Sequence, residues 1–580
     1  KRGDYGNRLI SRFQKGGWGY CHIETISASN TKFQSTALSP VFVQPDDNNK
    51  ADETVFKVDL PEPVAPGESV TLNISFLSQL PHRAPRTGYN EDYFFVAQWF
   101  PKIGVWQNDT WHCNQFHALG EFFADYGDYD VQLTVPSEFV VGACGVKTDS
   151  TSNNDGTITH RFQEQCIHDF AWTAWPQFKT ATRLFEHPEL PTVKMQLLYQ
   201  PEHQRYVDDF FGGTENTLKY LGLWYVPYPY STITIVDARW RSSSSGMEYP
   251  TLFTTGVDWL AARGSQRPLG LTVHECAHQF FYGIIGTNEV EHPWMDEGFT
   301  TYATSRCMNT AYGDGAYSKS YLERDGFYIP VTFSNVPKDQ RDWIVENNRE
   351  RSGRDVMNKA AWEFVDYYAY RNSAYEKPAL MLWTLESYLG ESVFSDIMKT
   401  YATRWAFKHP GPQDFIDIVN EIAPENMDWF FDKMLDKPGN VDYAVIDISS
   451  QSPMKVAGYF GAGDDMEKRE QEPEDELFES RVHIKRLGDI QMPVEILITF
   501  EDGETVLQEW DGAQPFKILY FTRETRVEKA EIDPYRKIWL DVNPINNGKY
   551  REAQSFISFR WGAKWLFWLQ DLLEMIAVFS

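Results

Sequence analysis

The chain has 580 residues, of which 42% are hydrophobic and 23% charged, the balance of a globular protein with about three or four domains. Its 82 acidic and 54 basic residues give a net charge of -28, which repels phosphate backbones and excludes nucleic acid as a partner. The six cysteines are too few for a disulfide framework. We expect Cys276 to be a buried free thiol, and pairing among Cys21, Cys113, Cys144 and Cys166 stays open.

The N-terminal region alternates apolar and polar residues in short runs, such as 54–60, 70–76 and 129–135. This period of two predicts an antiparallel β domain over residues 1–191. The chain opens at Lys1 without a methionine or an apolar signal core, so we expect this domain to be truncated at its start. An export signal removed earlier is compatible with this start. A periplasmic, secreted or membrane-associated location is slightly favoured over the cytoplasm, and the compartment is otherwise unknown.

The middle of the chain, residues 192–439, has a largely helical pattern. Strand-like runs at 195–199 and 231–236 accompany helical segments near 203–222, 269–283, 294–310, 378–389, 393–406 and 413–437. This mixture predicts an α+β domain.

The C-terminal part returns to alternation in 482–486, 494–500 and 516–520, which predicts a second β domain over 440–547. An acidic run at 464–479 is typical of a solvated loop. The tail, 548–580, contains an amphipathic helix whose apolar side carries Trp561, Trp565 and Trp568. Internal charges interrupt it, so we expect no transmembrane span. Packing on the body, peripheral membrane attachment and contact with a partner all stay open for this helix.

The run His274-Glu-Cys-Ala-His278 lies in a predicted helix between Pro268 and Gly283. Two histidines one helical turn apart project from the same face and can bind one zinc ion. Glu275 then points toward the open coordination position, where a general base is needed. This spacing predicts a hydrolytic zinc site.

A third metal ligand follows eighteen residues after His278, at Glu297. Pro293 marks the start of a second helix and places Glu297 in its early turns. Two helices joined by a loop can supply two histidines and a glutamate to one ion, leaving a fourth position for water. We therefore expect one Zn2+ per chain.

These residues, with Glu297 inside Trp294-Met-Asp-Glu-Gly-Phe299, resemble the aminopeptidase N family of gluzincin metallopeptidases. The resemblance covers nearly the whole chain. It implies a multidomain α+β fold: an N-terminal β domain, a thermolysin-like and mainly helical catalytic domain, and a C-terminal β-sandwich domain, followed here by the terminal helix. It also implies a zinc-dependent aminopeptidase whose substrates are peptides with a free N-terminus. We expect the 580 residues to leave no room for the large helical C-terminal domain that several members have.

A second motif, Gly246-Met-Glu-Tyr-Pro250, is similar to the family's Gly-x-Met-Glu-Asn element, an edge strand along the substrate cleft. The resemblance implies that Glu248 binds the α-amine and that Gly246 and Met247 contact the substrate. Tyr249 departs from the usual asparagine. The family's N-terminal domain often supplies a further contact to the amine, and Glu91 and Asp92 are loosely aligned with it.

A third motif, Tyr375-Glu-Lys-Pro-Ala379, is similar to the family's Tyr-x-Lys-Gly-Ala element and implies that Tyr375 stabilises the oxyanion. Tyr367, Tyr368 and Tyr370 are rival residues that we expect to pack instead.

One position departs from the family pattern near the metal. The family carries an acidic residue seven positions after the glutamate ligand, where this chain has Thr304. Metal-bound histidines donate their second N–H to an acceptor, so Asp296 or a backbone oxygen must serve here.

Two other functions are compatible with the sequence. The first is a zinc endopeptidase on the same scaffold, distinguished by what Glu248 does. The second is a non-catalytic binding protein that keeps the fold. Such proteins usually lose a ligand or the base, whereas His274, Glu275, His278 and Glu297 are all present.

Overall fold

The computed structural model describes residues 17–82, 86–239, 246–257, 267–313, 340–470, 477–552 and 555–579. These residues form a mixed α/β fold with a β-rich N-terminal region and a helical middle region, as expected from the sequence. The finer division into domains stays a prediction.

The N-terminal region is built from small antiparallel sheets. One sheet contains, in spatial order, Thr36–Ala37, Tyr20–Ser29 and Thr71–Gln79. A second contains Gly127–Pro136, Thr157–Ile167 and Val146–Ser152, and a third contains Val140–Ala143, Trp172–Trp175, Tyr93–Val96 and Gly88–Asn90. Two short hairpins pair Val41–Phe42 with Phe56–Lys57 and Val105–Gln107 with Thr110–His112. The strand expected over 54–60 is therefore reduced to two residues.

A five-stranded mixed sheet positions the functional site. Its spatial order is Lys179–His187, Leu190–Tyr199, Thr232–Asp237, Leu252–Thr255 and Met247–Tyr249. The three middle strands run parallel, and the two outer strands run antiparallel to their neighbours. The predicted domain boundary at residue 191 falls inside Leu190–Tyr199. Met247–Tyr249 is an edge strand, so its outer side is available to other groups.

The described helices are Val207–Trp224, Arg267–Ala277, Trp294–Tyr312, Gln340–Arg351, Tyr367–Arg371, Lys377–Leu389, Glu391–Trp405, Pro412–Ile422, Asp428–Met434 and Ser555–Phe579. Short 3-10 turns occupy Pro201–Tyr206, Ala361–Glu363 and Gly463–Asp465, and a π turn occupies Asn372–Glu376. The single helix expected over 413–437 is two helices. Ala423 is extended because Pro424 follows it and disfavours the helical conformation.

The C-terminal part contains two larger antiparallel sheets. One holds Tyr443–Gln451, Phe478–Arg486 and Phe516–Arg523, and the other holds Thr505–Trp510, Val494–Phe500, Val527–Ile532 and Gly548–Tyr550. The acidic run predicted as a loop begins in a hairpin of Gly458–Phe460 with Glu467–Arg469. Residues 471–476 of that run lie outside the described residues.

The terminal helix Ser555–Phe579 leaves its described apolar side chains largely in solvent, including Trp561, Trp565 and Leu573. In the structure these side chains therefore do not pack on the rest of the described chain. Among the described residues, no helix combines the length and the apolar character needed to cross a bilayer.

The main hydrophobic core is continuous from the N-terminal sheets through the helical middle region to the C-terminal sheets. All six cysteines are free thiols, so none of the disulfides left open by the sequence is formed. Cys276 is fully buried, as predicted, and faces the core rather than the metal site.

Candidate metal centre and active site

Two helices carry the predicted metal ligands. The first site helix, Arg267–Ala277, begins beside Pro268 and ends earlier than the expected residue 283. His278 nevertheless keeps the helical position, because its N–H donates to His274 O at 3.2 Å. The second site helix, Trp294–Tyr312, follows Pro293 as predicted and holds Glu297 in its first turn.

The three predicted ligand atoms form a nearly equilateral triangle. His274 Nε2 and His278 Nε2 are 3.3 Å apart, and Glu297 Oε2 lies 3.4 Å from the first and 3.3 Å from the second. Ligand atoms around a tetrahedral ion with bonds of about 2.05 Å stand about 3.3 Å apart. Glu297 Oε2 is buried and receives no hydrogen bond from the described residues. Two imidazoles and a carboxylate in this arrangement fit a zinc ion.

The two histidines have unequal partners on their outer nitrogens. His278 Nδ1 lies 2.8 Å from Asp296 Oδ1, and Thr300 Oγ1 lies 3.1 Å from the same nitrogen. His274 Nδ1 has Thr304 Oγ1 at 3.4 Å, near the limit of a hydrogen bond. Asp296 therefore provides the carboxylate that Thr304 lacks, but to the other histidine.

Glu275 lies directly against Gly246 on the edge strand side of the cleft. A Cβ atom added to Gly246 would stand 1.9 Å from Glu275 Oε1, so a side chain at this position would displace the Glu275 carboxylate. Burial, followed by the charge of Glu248, raises the pKa of Glu275 well above its usual value. Glu275 is thus held between the metal triangle and the edge strand, where a proton acceptor would face an attacking water.

The edge strand Met247–Tyr249 places Glu248 beside the metal triangle. Oxygen or nitrogen atoms of Glu248, Glu275 and His278 all lie within 4.8 Å of one another. Glu248 Oε1 is buried and receives no hydrogen bond from the described residues. Burial, and then the charges of neighbouring acids, raise the pKa of Glu248 to about 8, although His278 opposes the shift. Met247 is buried next to it.

Tyr375 lies in the π turn Asn372–Glu376, and its hydroxyl donates to Glu297 Oε1. Its ring is nearly parallel to that of His274, with 6.2 Å between centroids. A close helix contact makes this possible, because a Cβ on Gly298 would meet Pro378 Cβ at 2.5 Å. The substitution of proline for the family's glycine is therefore accommodated by a glycine on the facing helix.

The three tyrosines considered as alternatives to Tyr375 differ in their exposure to solvent. Tyr367 and Tyr368 are 45% and 54% exposed and lie on the surface. Tyr370 is buried and packs against Tyr375, with 6.3 Å between ring centroids. Tyr375 alone among the four donates to a predicted ligand.

The sequence did not single out two residues from the N-terminal region that lie at the site. Arg86 Nη2 donates to Glu121 Oε1, and Arg86 Nη1 donates to Gly246 O at 3.3 Å. Glu91 and Asp92, which the sequence loosely aligned here, lie elsewhere: Glu91 pairs with Arg239 at 2.6 Å, and Asp92 accepts from Trp175 Nε1. Both missed residues lie in segments without regular secondary structure, so no periodic pattern marks them.

The site concentrates buried negative charge. The side chains of six acids are less than a tenth exposed: Glu121, Glu248, Glu275, Glu289, Asp296 and Glu297. Buried carboxylates are costly unless cations or hydrogen bonds compensate them. Arg86 supplies one positive charge, and a zinc ion in the ligand triangle would supply two more. Burial and mutual repulsion raise the pKa of four of these acids, Glu121, Glu248, Glu275 and Glu289, so a further cation at the site would stabilise their ionised forms.

Residues 211–434 match the peptidase family M1 domain. The chain is 22% identical over 348 residues to leucine aminopeptidase 2 of Neurospora crassa, covering 57% of this chain and 47% of that protein. It is 22% identical over 219 residues to leucine aminopeptidase 2 of Chaetomium globosum, covering 37% of this chain and 33% of that protein. Aminopeptidase M1-A of Oryza sativa subsp. japonica is 25% identical over 167 residues, covering 28% of this chain and 17% of that protein. The chain thus spans less than half the length of these relatives.

The fold is similar to the crystal structure of Legionella pneumophila aminopeptidase A in complex with aspartic acid. The TM-score is 0.59 at 11% sequence identity, and the match covers 90% of this chain and 54% of that chain. The overall resemblance predicted from the three motifs is confirmed by the family match.

Proposed function

We propose that the chain is a zinc-dependent aminopeptidase that removes the first residue of peptides, on the premise that residues 211–434 match the peptidase family M1 domain. The observation that carries the proposal is the triangle of His274 Nε2, His278 Nε2 and Glu297 Oε2, with Glu248 beside it. The triangle supports metal-assisted hydrolysis, and Glu248 supports recognition of a free amine.

Zinc is the metal that this ligand set favours. When bound, the ion supplies a Lewis acid that polarises the scissile carbonyl and makes water more acidic. Asp296 orients His278 through the 2.8 Å contact to Nδ1, which fixes the tautomer that leaves Nε2 free to bind the metal.

Glu275 is proposed as the general base. Its carboxylate lies against Gly246 beside the ligand triangle, where it can accept a proton from the attacking water. The same carboxyl group then delivers that proton to the leaving amine. The bond after the first residue therefore breaks to give a neutral amine and not an amide anion.

Tyr375 is proposed to stabilise the oxyanion. Its hydroxyl donates to Glu297 in the structure, which places it beside the ligand triangle, where the scissile carbonyl would bind. One oxyanion donor commonly contributes about 3 kcal/mol to lowering the barrier.

The substrate's ammonium group is proposed to bind between Glu248 and Glu121. Glu248 Oε1 and Glu121 Oε2 are both buried and have no hydrogen-bond partner among the described residues. An ammonium group would supply donors to both oxygens and stabilise the ionised carboxylates. Because an anchored amine fixes the position of the first carbonyl, only the first peptide bond reaches the metal. Gly246 and Met247 would lie beside the bound residue.

The deciding experiment compares a short peptide with its N-acetylated twin on the zinc-loaded protein. We expect cleavage of the first bond in the free peptide and little cleavage of the blocked one. Equal cleavage of both, or internal cuts in the blocked peptide, would instead establish a zinc endopeptidase on this scaffold. A folded protein that takes up no zinc by elemental analysis would establish a non-catalytic binding protein.

We also infer that the domain organisation follows the family order: 1–191, 192–439 and a β-sandwich over 440–547, with 548–580 as a separate tail. The two antiparallel sheets between Tyr443 and Tyr550 support the sandwich. Limited proteolysis with mass spectrometry tests these boundaries, since cleavage is expected between the units and not within a sheet.

A further inference from the structure

Arg86 brings a cation from the N-terminal region to the substrate cleft. Its guanidinium donates to Glu121 through Nη2 and to Gly246 O through Nη1, the latter at 3.3 Å. Gly246 directly precedes the edge strand Met247–Tyr249 and lies two residues before Glu248. The positive charge is therefore placed next to the carboxylates that are proposed to hold the substrate's amine.

The distance from Arg86 to the reacting groups is short. Gly246 O contacts Arg86, while a Cβ on the same glycine would be 1.9 Å from Glu275 Oε1. Adding these contacts across one residue puts the guanidinium within roughly 9 Å of the general base. On the proposed function, a first residue with its amine at Glu248 would lie in this interval.

The backbone of Arg86 is held in an uncommon conformation by Tyr249. Arg86 has φ 71°, in the left-handed region that non-glycine residues rarely adopt. Tyr249 Oη donates to Arg86 O at 3.2 Å, and the Tyr249 ring is buried against Phe95. Tyr249 is the position at which the sequence departs from the family's asparagine. Such strain at a cleft persists when surrounding contacts determine the conformation.

We propose that Arg86 is a specificity-determining residue that selects peptides whose first side chain carries a carboxylate and disfavours those whose first side chain is cationic. This proposal rests on the proposed aminopeptidase function, because the anchored amine is what places the first side chain beside Arg86. An aspartate or glutamate at the first position would accept from the guanidinium, while lysine or arginine there would face a like charge.

The guanidinium has capacity for this second partner. Its side chain is 30% exposed, and the contacts to Glu121 and Gly246 leave further N–H groups without a partner among the described residues. Glu121 fixes the arginine, so little side-chain freedom is lost when a substrate binds.

The net charge of the chain does not decide this preference. The charge of -28 repels acidic peptides at long range, but salt screens that repulsion over about 8 Å at physiological ionic strength. A direct contact with a partly buried guanidinium is screened much less. The local cation therefore determines which first residue is favoured once the peptide is bound.

The first test is a substrate profile of the native zinc-loaded protein. Aminoacyl amides of Glu, Ala and Lys would be compared by kcat/KM at constant ionic strength. We expect Glu over Lys by at least about tenfold, the size of one charge-assisted hydrogen bond. An equal or higher kcat/KM for the Lys amide than for the Glu amide would overturn the proposal, whatever the variants do.

The second test uses Arg86→Gln and Arg86→Lys. Gln removes the charge and should lower the Glu-to-Lys ratio of kcat/KM by about ten- to a hundredfold, mainly through KM for the Glu amide. Lys keeps the charge without the forked geometry and should retain a preference for Glu. Arg239→Gln is the matched control, since Arg239 also links the N-terminal region to the central sheet but pairs with the exposed Glu91. It should leave the ratio unchanged.

The outcomes separate this proposal from the proposed function. Zinc content and melting temperature establish that each variant is folded and loaded. Cleavage of all three amides with a ratio that Arg86→Gln does not change would overturn the role of Arg86 while preserving the aminopeptidase. If no free-amine substrate is cleaved by the zinc-loaded native protein, the proposed function itself fails. If Arg86→Gln does not fold, the native profile and Arg86→Lys still decide.

Discussion

Replacing Asp296 by asparagine is expected to weaken zinc binding far more than replacing Thr304 by valine. Asp296 Oδ1 lies 2.8 Å from His278 Nδ1, whereas Thr304 Oγ1 lies 3.4 Å from His274 Nδ1. The first contact is a short, charge-assisted hydrogen bond, and the second is at the limit of one. Asparagine preserves the shape of the side chain and an acceptor oxygen but removes the charge that makes the imidazole more basic.

The magnitude follows from the role of such outer contacts. Mutating the residue that hydrogen-bonds a metal-bound histidine typically weakens metal affinity about ten- to a hundredfold, or about 1.4 to 2.7 kcal/mol. Thr300 Oγ1, 3.1 Å from the same nitrogen, can accept in place of Asp296 and keeps the loss within this range. For Thr304→Val we expect less than about a threefold change, because little hydrogen bonding is removed.

Zinc affinity would be measured by competition with a chromophoric chelator, with circular dichroism as a control for folding. Melting temperatures with excess zinc provide a second reading, since a tenfold loss of affinity removes about 1.4 kcal/mol of zinc-dependent stabilisation. Equal losses for the two variants, or a larger loss for Thr304→Val, would show that the geometry of these outer contacts does not control the metal.

Three further predictions concern single side chains. Tyr375→Phe should lower turnover on the order of a hundredfold while the zinc content stays unchanged, and unaltered turnover would remove Tyr375 from the oxyanion site. Glu248→Ala should lower kcat/KM for free-amine peptides about ten- to a hundredfold and have little effect on N-acetylated peptides, measured side by side. Lys377 is buried with no partner for Nζ among the described residues, and burial lowers its pKa from 10.5 to about 8. Between pH 8 and pH 10.5 the unfolded chain keeps the Lys377 proton while the folded chain loses it, so the unfolding free energy rises with pH across this window. Lys377→Met should therefore raise the unfolding free energy at pH 7 and raise it less at pH 9.5. Urea titrations at both pH values would measure this difference.

The triangle formed by the three proposed metal ligands was predictable because its geometry is local. Helical periodicity places His274 and His278 on one face, and Pro293 sets the start of the helix that presents Glu297. The packing that brings Tyr375 to Glu297 depends on Gly298 meeting Pro378 across two helices. The motif around Tyr375 identified the residue, but the motif alone contains no information on this contact.

Element ends were less predictable than element types. The first site helix stops at Ala277 although its apolar pattern continues, and the chain turns tightly at Gly283, where a Cβ would stand 2.5 Å from Gln279 O. The preceding Tyr282 has φ 85°, which a continuous helix does not allow. Tertiary packing of this turn overrides the periodic pattern.

Glu121 and Arg86 were missed because their roles depend on long-range contacts. Phe122, the residue after Glu121, donates its N–H to Glu289 Oε2 at 3.2 Å. Glu121 and Glu289 are more than a hundred residues apart in the sequence. Arg86 reaches Gly246 across 160 positions. Irregular segments have no period that predicts where a side chain points, and the folding of the whole domain decides it.

The departures from the family motifs gain meaning when each is considered with its spatial neighbour. Thr304 leaves His274 with a weak acceptor, and Asp296 supplies a strong one to His278, so the carboxylate is retained but moved. Tyr249 replaces an asparagine, and its hydroxyl reaches the backbone of Arg86, whose guanidinium enters the cleft. If Tyr249 serves to position Arg86, then Tyr249→Phe should reduce the preference for an acidic first residue while leaving the zinc ligands untouched. A change at a motif position is thus best tested through the residue it contacts, because the chemical consequence appears there.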